Sequence, residues 1–224
     1  MTNRQPVTPE PPVSSIPPPA GRDSVKTAFL DAAERLLVEV GYAQISTRRL
    51  ADEAGANHGL IHYYFGSMEE LFVQVLERFT ERLLDRQRAM YARPVPFIEK
   101  WRTAWRYHEE DLAAGYPKVW LELQALAWNL PELRARVAHV NAEWRSVLTE
   151  AFSAALGEYG VDEATLPAEV AVALTMTFEH GAQVERLSGI DTGHAAIVAW
   201  IDRWLEEQES RLAARGREGG EEAA

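Results

Sequence analysis

Three glycines, Gly41, Gly55 and Gly66, cut a helical pattern into short pieces near its start, and helices that short are stable only when they brace one another. Ahead of Gly41, the residues Phe29, Ala32, Ala33, Leu36, Leu37 and Val40 share one face at helical spacing, behind a capping residue at Asp23 or Ser24. Ser46 caps a second helix predicted over 47–54, and Asn57 caps a third predicted over 58–65. Ser67-Met68-Glu69-Glu70 is a capping box, opening a longer helix with Phe72, Val75, Leu76, Phe79 and Leu83 on its stripe, to about residue 90. Pro94 and Pro96 then interrupt the pattern, while Pro117, Pro131 and Pro167 stand where a first helical turn tolerates a missing N–H. Five further helices are predicted near 97–114, 117–130, 131–157, 167–188 and 193–215. No stretch alternates in the manner of a strand, so the expected fold class is all-α, about nine helices, with a three-helix unit ahead of a helical bundle.

Composition narrows the class further. A hydrophobic fraction of 46% and a charged fraction of 25% over 224 residues suit a globular chain with a sizeable core. The chain has 0 cysteines, which removes disulfides, thiolate nucleophiles and thiolate metal sites together. No apolar run reaches the roughly 18 residues of a membrane span, since Glu169, Thr175 and Thr177 break even 168–178, and no secretory pattern precedes the first helix. The expectation is a cytoplasmic protein with no membrane partner. Residues 1–20 hold Pro6, Pro9, Pro11, Pro12, Pro17, Pro18 and Pro19 and read as a disordered tail, as does the Gly- and Glu-rich stretch 216–224. The domains expected between them are 21–67 and 68–215.

Two short helices joined by a tight glycine-containing turn form a helix-turn-helix, which sets the second helix across the first so that it can enter a major groove. On that second helix Ile61, Tyr64 and Phe65 face inward on a helical wheel, whereas Gly59, His62 and Tyr63 face outward with Leu60 on a flank. A solvated face would carry Lys, Glu or Gln; histidines, a tyrosine and a glycine that lets the backbone approach suit base reading. Thr47 through Ser67, reading TRRLADEAGANHGLIHYYFGS, closely resembles the DNA-binding segment of tetracycline-repressor-like (TetR family) transcription regulators, and the resemblance covers about residues 24–80. It implies a homodimer on a palindromic double-stranded DNA operator, a small-molecule effector bound in the C-terminal domain, and a dimer made by the last two helices. Carried over by position, Thr47 matches a phosphate contact, Arg48 a guanine reader, His58, Gly59, Leu60 and His62 the positions nearest bases, and Tyr63 and Tyr64 positions nearer phosphates. Where the family often has a lysine after the capping serine, this chain has Met68.

The net charge of −11 argues against nucleic acid until its distribution is considered. Residues 22–66 carry Arg22, Lys26, Arg35, Arg48 and Arg49 against Asp23, Asp31, Glu34, Glu39, Asp52 and Glu53, a net of −1, so most of the negative charge lies elsewhere. Helix amino termini, hydroxyls and tyrosines also supply uncharged phosphate donors.

In the bundle, Trp101, Trp105 and His108 repeat at helical spacing, as do Trp120, Gln124 and Trp128, with Trp144 and Phe178 on later helices. Such stripes ordinarily pack inside a bundle; these eight residues are also the candidates for an effector pocket. Glu122, in the same apolar helix, requires a partner, either an effector or an arginine. Ile197, Ile201, Trp204 and Leu205 are the candidate dimer residues on the last helix, with intrachain packing as the alternative. His58 and His62 have ligand spacing but no third ligand, Asp191-Thr192-Gly193-His194 reads as a capping turn, and His108-Glu109-Glu110-Asp111 reads as a solvated face. No metal, cofactor or catalytic residue is expected. The reading is a dimeric ligand-responsive repressor rather than an enzyme, against an effector-independent binder or an activator, with a small helical enzyme more distant.

Overall fold

The computed structural model describes residues 22–221, and every regular element among them is helical. Nine α-helices run α1 Arg22–Val40, α2 Thr47–Ala54, α3 Gly59–Phe65, α4 Met68–Tyr91, α5 Phe97–Ala113, α6 Tyr116–Ala127, α7 Pro131–Tyr159, α8 Ala168–Leu187 and α9 His194–Glu221, with a 3-10 turn over Tyr42–Gln44 after α1. The tail expected over residues 1–20 lies outside the described residues.

Local chemistry sets most boundaries. Ser46 accepts from the Arg49 amide at 3.2 Å to start α2, which ends at Gly55 in the left-handed conformation (φ 62°). Asn57 Oδ1 takes the Gly59 amide at 2.9 Å ahead of α3, and Ser67 takes the Glu70 amide at 3.1 Å to open α4. Helix α6 stops at Ala127, short of the expected 130, because Pro131 forces Leu130 into an extended conformation. In contrast, α9 runs to Glu221, past the expected stop at 215. Gly216, Gly219 and Gly220 lie in this stretch, each costing about 1 kcal/mol relative to alanine inside a helix, with the good helix formers Arg215, Arg217 and Glu218 between and before them.

Two hydrophobic cores organise the described residues, and the first continues past residue 68 into later helices. The first joins Phe29, Leu37, Leu50 and Ile61 of α1–α3 to Phe72 and Leu76 of α4, but also to Val119 and Leu123 of α6 and Leu133 of α7. The second joins Trp101 of α5, Leu148 and Phe152 of α7, Val172 and Met176 of α8 and Leu205 of α9. Helix α6 therefore completes the core under the amino-terminal helices. Arg78 of α4 reinforces this packing by reaching Asp31 at 2.7 Å and Glu34 at 2.9 Å on α1.

Candidate nucleic-acid interface and ligand cavity

Burial of Ile61 and Phe65 fixes which way α3 turns. Ile61 is fully enclosed, and Phe65 sets its ring edge-on to Phe29 with centroids 6.2 Å apart. Residues on the opposite side must then face out: His58, Gly59 and His62 are exposed, Tyr63 is 62% exposed, and Leu60 and Tyr64 are half-buried on the flanks. Tyr63 and Tyr64 stack edge-on at 5.0 Å. At the start of α2, Thr47 is half-buried and Arg48 exposed, so all eight sequence-derived positions lie on the outer side or rim of one two-helix unit.

The charge arrangement matters more than its sum. Arg35 is held by Glu53 at 3.0 Å, and Arg78 and Arg82 are held by acids of α1, whereas Arg48 and Arg49 have no ion-pair partner among the described residues. Unengaged, exposed cations therefore stand in the first turn of α2, the helix that precedes α3. His62 Nδ1 lies 2.8 Å from the Gly66 carbonyl, which can only accept, so Nδ1 carries the hydrogen and Nε2 of the neutral ring points away as an acceptor. Met68, in place of a lysine, is half-buried against the first core.

A cavity of about 110 Å³ lies between the two cores, walled by α4, α5, α6, α7 and α8. Of the eight sequence candidates, His108, Trp120 and Trp144 line it. Trp101 is buried in the second core instead, and Trp105 joins α5 to α8 by packing on Trp101, His108 and Phe178 at 5.1–5.9 Å. Gln124 is half-buried away from the cavity, and Trp128 is 76% exposed at the end of α6, where the helix has already stopped. The polar stretch His108–Asp111, expected to face solvent, instead sends His108 and Asp111 into the cavity wall, because Trp101 and Trp105 turn that side of α5 inward. Burial raises the Asp111 carboxyl above the ordinary carboxylate range, against the opposing pull of the Arg86 guanidinium bonded to it.

Sequence reasoning missed Gln87, Glu179, His180 and Gln183 in the same wall. The i, i+4 spacing of Glu179 and Gln183 places them on one face of α8, but only the tertiary fold brings Gln87 of α4 to them. His180 Nδ1 donates to the Met176 carbonyl at 2.8 Å, and its Nε2 accepts from Trp120 Nε1 at 3.1 Å, tying α8 to α6. The partner of Glu122 is a backbone amide rather than an arginine: its Oε2 accepts from the Tyr42 N–H at 2.6 Å, capping the 3-10 turn after α1.

The dimer candidates also separate. Leu205 is 3% exposed and already buried inside the chain, and Trp204 and Ile201 pack half-buried on the second core, with Trp204 edge-on to Tyr159. Ile197 remains exposed, together with Val170, Leu174, Val184, Leu187 and Ile190 on or beside α8 and Trp200 on α9. Among the described residues no helix is long and apolar enough to cross a membrane, and no group of three or more His, Cys, Asp or Glu could hold a metal ion.

Residues 29–75 match the family profile described as bacterial regulatory proteins, tetR family. The HTH-type transcriptional repressor Rv3405c of Mycobacterium tuberculosis is 38% identical over 65 residues, which is 29% of this chain and 35% of that protein, so the chain matches about a third of its curated relative's length. Two solved structures share the fold over most of both chains. FadR from Bacillus subtilis, in complex with stearoyl-CoA, superposes with a TM-score of 0.63 at 19% identity, covering 80% of this chain and 96% of its own. A transcriptional regulator from Saccharomonospora viridis, in complex with choline, gives a TM-score of 0.67 at 20% identity, covering 83% and 95%. Residues 29–75 thus match the DNA-binding segment of tetR-family regulators, and the described helices share the fold of the two solved regulators.

Proposed function

We propose that the protein is a ligand-responsive, homodimeric transcriptional repressor whose two α3 helices read successive major grooves of a palindromic operator. The observation that carries this reading is the shared wall: α4 and α6 line the cavity with Gln87 and Trp120 and also complete the core beneath α1–α3 with Phe72 and Leu123. A molecule that fills the cavity pushes on the same two helices that aim α3. The stearoyl-CoA and choline complexes of the two structural relatives support effector binding in this fold.

Homodimerisation is supported by the exposed apolar surface on α8 and α9. Leu174 is 64% exposed and Trp200 61%, and a second copy would cover both by adding its own α8 and α9 to form a four-helix interface. Two linked α3 helices bind one duplex only when their centres stand about 34–36 Å apart, so a change in that spacing releases the operator. An effector shifts the balance only by its differential affinity for the two spacings, typically about 1–3 kcal/mol.

Genomic fragments selected by the full chain test this reading. A palindrome with half-sites one helical turn apart is expected, and Leu174→Asp is expected to sediment as a monomer that no longer retains the fragment. An asymmetric single site, or a Leu174→Asp protein that stays dimeric, sinks the homodimeric reading. Operator affinity unmoved by any cavity ligand favours an effector-independent binder instead.

A further inference from the structure

We propose that the cavity takes a small organic cation bearing N–H donors, a primary alkyl- or arylammonium ion; the proposal rests on the regulatory reading only in treating that cavity as a ligand site. The wall contains two carboxylates, Asp111 and Glu179, and among the described residues no lysine or arginine lines it. Arg86 already binds Asp111 from outside the wall. Among the described residues, the basic group paired with Glu179 is His108, whose Nδ1 stands 3.2 Å from its Oε1. A carboxylate offers about four acceptor positions, so most of its capacity remains open. A phosphate or carboxylate ligand would meet these groups with no cation to receive it.

Unpartnered oxygens make the preference more specific. Gln87 is 8% exposed, lines the cavity, and has an Oε1 without a hydrogen-bond partner; Gln183 Oε1 is also buried and unpartnered. A buried acceptor deprived of a donor is costly, and a ligand that brings donors recovers that cost. Gln87, Gln183 and Glu179 supply as many acceptors as a primary ammonium has hydrogens. Several donors on the wall are already engaged: His180 Nδ1 donates to the Met176 carbonyl, Trp120 Nε1 donates to His180 Nε2, and Asn141 Nδ2 donates to the Val137 carbonyl at 3.0 Å. Trp120 and Trp144 add aromatic faces, which attract a desolvated cation. A volume of about 110 Å³ is several times what one water needs, room for a short alkyl or single-ring body and too little for a long acyl chain.

Calorimetric titration of the full chain decides the matter, using primary ammonium ions from butylamine to 2-phenylethylamine. For comparison the titration includes 2-phenylethanol, 3-phenylpropionate and trimethyl(2-phenylethyl)ammonium. Binding of an ammonium ion is expected, with the alcohol, the carboxylate and the quaternary cation each weaker by about tenfold or more. Glu179→Gln and Gln87→Leu should each weaken the amine by about tenfold. Gln87→Leu should also hold or raise the thermal midpoint of the free protein, because it removes an unpartnered oxygen. The proposal fails if no primary ammonium binds, if the carboxylate binds as well as the amine, or if both variants bind the amine unchanged. Operator retention is measured separately: amine binding without operator release keeps the cation site and removes its regulatory role, and release by a neutral or anionic compound with no amine bound does the reverse.

Discussion

His62 donates from Nδ1 to the Gly66 carbonyl, and that bond decides what the ring offers a groove. With Nε2 left as an acceptor, the partners available in the major groove are the amino groups of adenine and cytosine, whereas guanine presents acceptors at N7 and O6. If His62 meets a base as proposed, that base is expected to be adenine or cytosine. Titrating operators changed at that one position should show a loss of about 1–3 kcal/mol for guanine, and His62→Ala should flatten the preference. His62→Arg should move it toward guanine, since a guanidinium donates to N7 and O6 together. A wild-type preference for guanine would mean that the imidazole does not read through Nε2.

At the scale of elements, the joint between α1 and α6 links the cavity to the reading head. Lys118 Nζ reaches the Val38 carbonyl at 3.3 Å, Glu122 receives the Tyr42 amide, and a Cβ added at Gly41 (φ 78°) would stand 2.6 Å from Glu122 Oε1. Only glycine meets both demands at position 41, the positive φ and the close approach. Glu122→Ala should cost about 1–3 kcal/mol in urea unfolding by stranding a half-buried amide, while Glu122→Gln, which keeps an acceptor, should cost less. A Glu122→Ala protein as stable as the parent would show that the joint does not depend on this bond. The helices around it were legible in sequence because their caps are local: Ser46, Gly55 and Ser67 act within a few residues of themselves. The outward face of α3 was legible for a similar reason, since Ile61 and Phe65 suffice to orient seven residues. Glu122 and the cavity were not, because their partners lie on other helices, and spacing along α6 says nothing about a carboxylate meeting the turn after α1. Aromatic periodicity misled for a related reason: Trp128 keeps a helical backbone as the C-cap of α6 yet is 76% exposed, so its burial depended on a covering helix that spacing along α6 cannot reveal.

For the molecule as a whole, the proposed operator binding requires a net charge of −11 to coexist with a polyanion. The described reading head presents Lys26, Arg48 and Arg49 without acidic partners, so a dimer brings about six cations to the duplex. Each neutralised phosphate contributes about −0.9 to the slope of log affinity against log salt concentration, which sets an expected slope near −5 for the operator. With so little charge attraction, affinity for unrelated duplexes should be low, and discrimination should depend on contacts from α3 and on the spacing between the two heads. Filter binding or fluorescence anisotropy over 50–200 mM salt measures the slope directly, and alanine at Arg48 should lower its magnitude by about 2 in the dimer, one phosphate for each copy. If Arg48 reads guanine instead, its loss should leave the slope nearly unchanged and relax the preference at one position in each half-site. The two outcomes separate a positioning arginine from a reading one. A measured slope near −10 would require cations beyond the reading head, and the repulsion expected from an acidic bundle would then have to be offset by them.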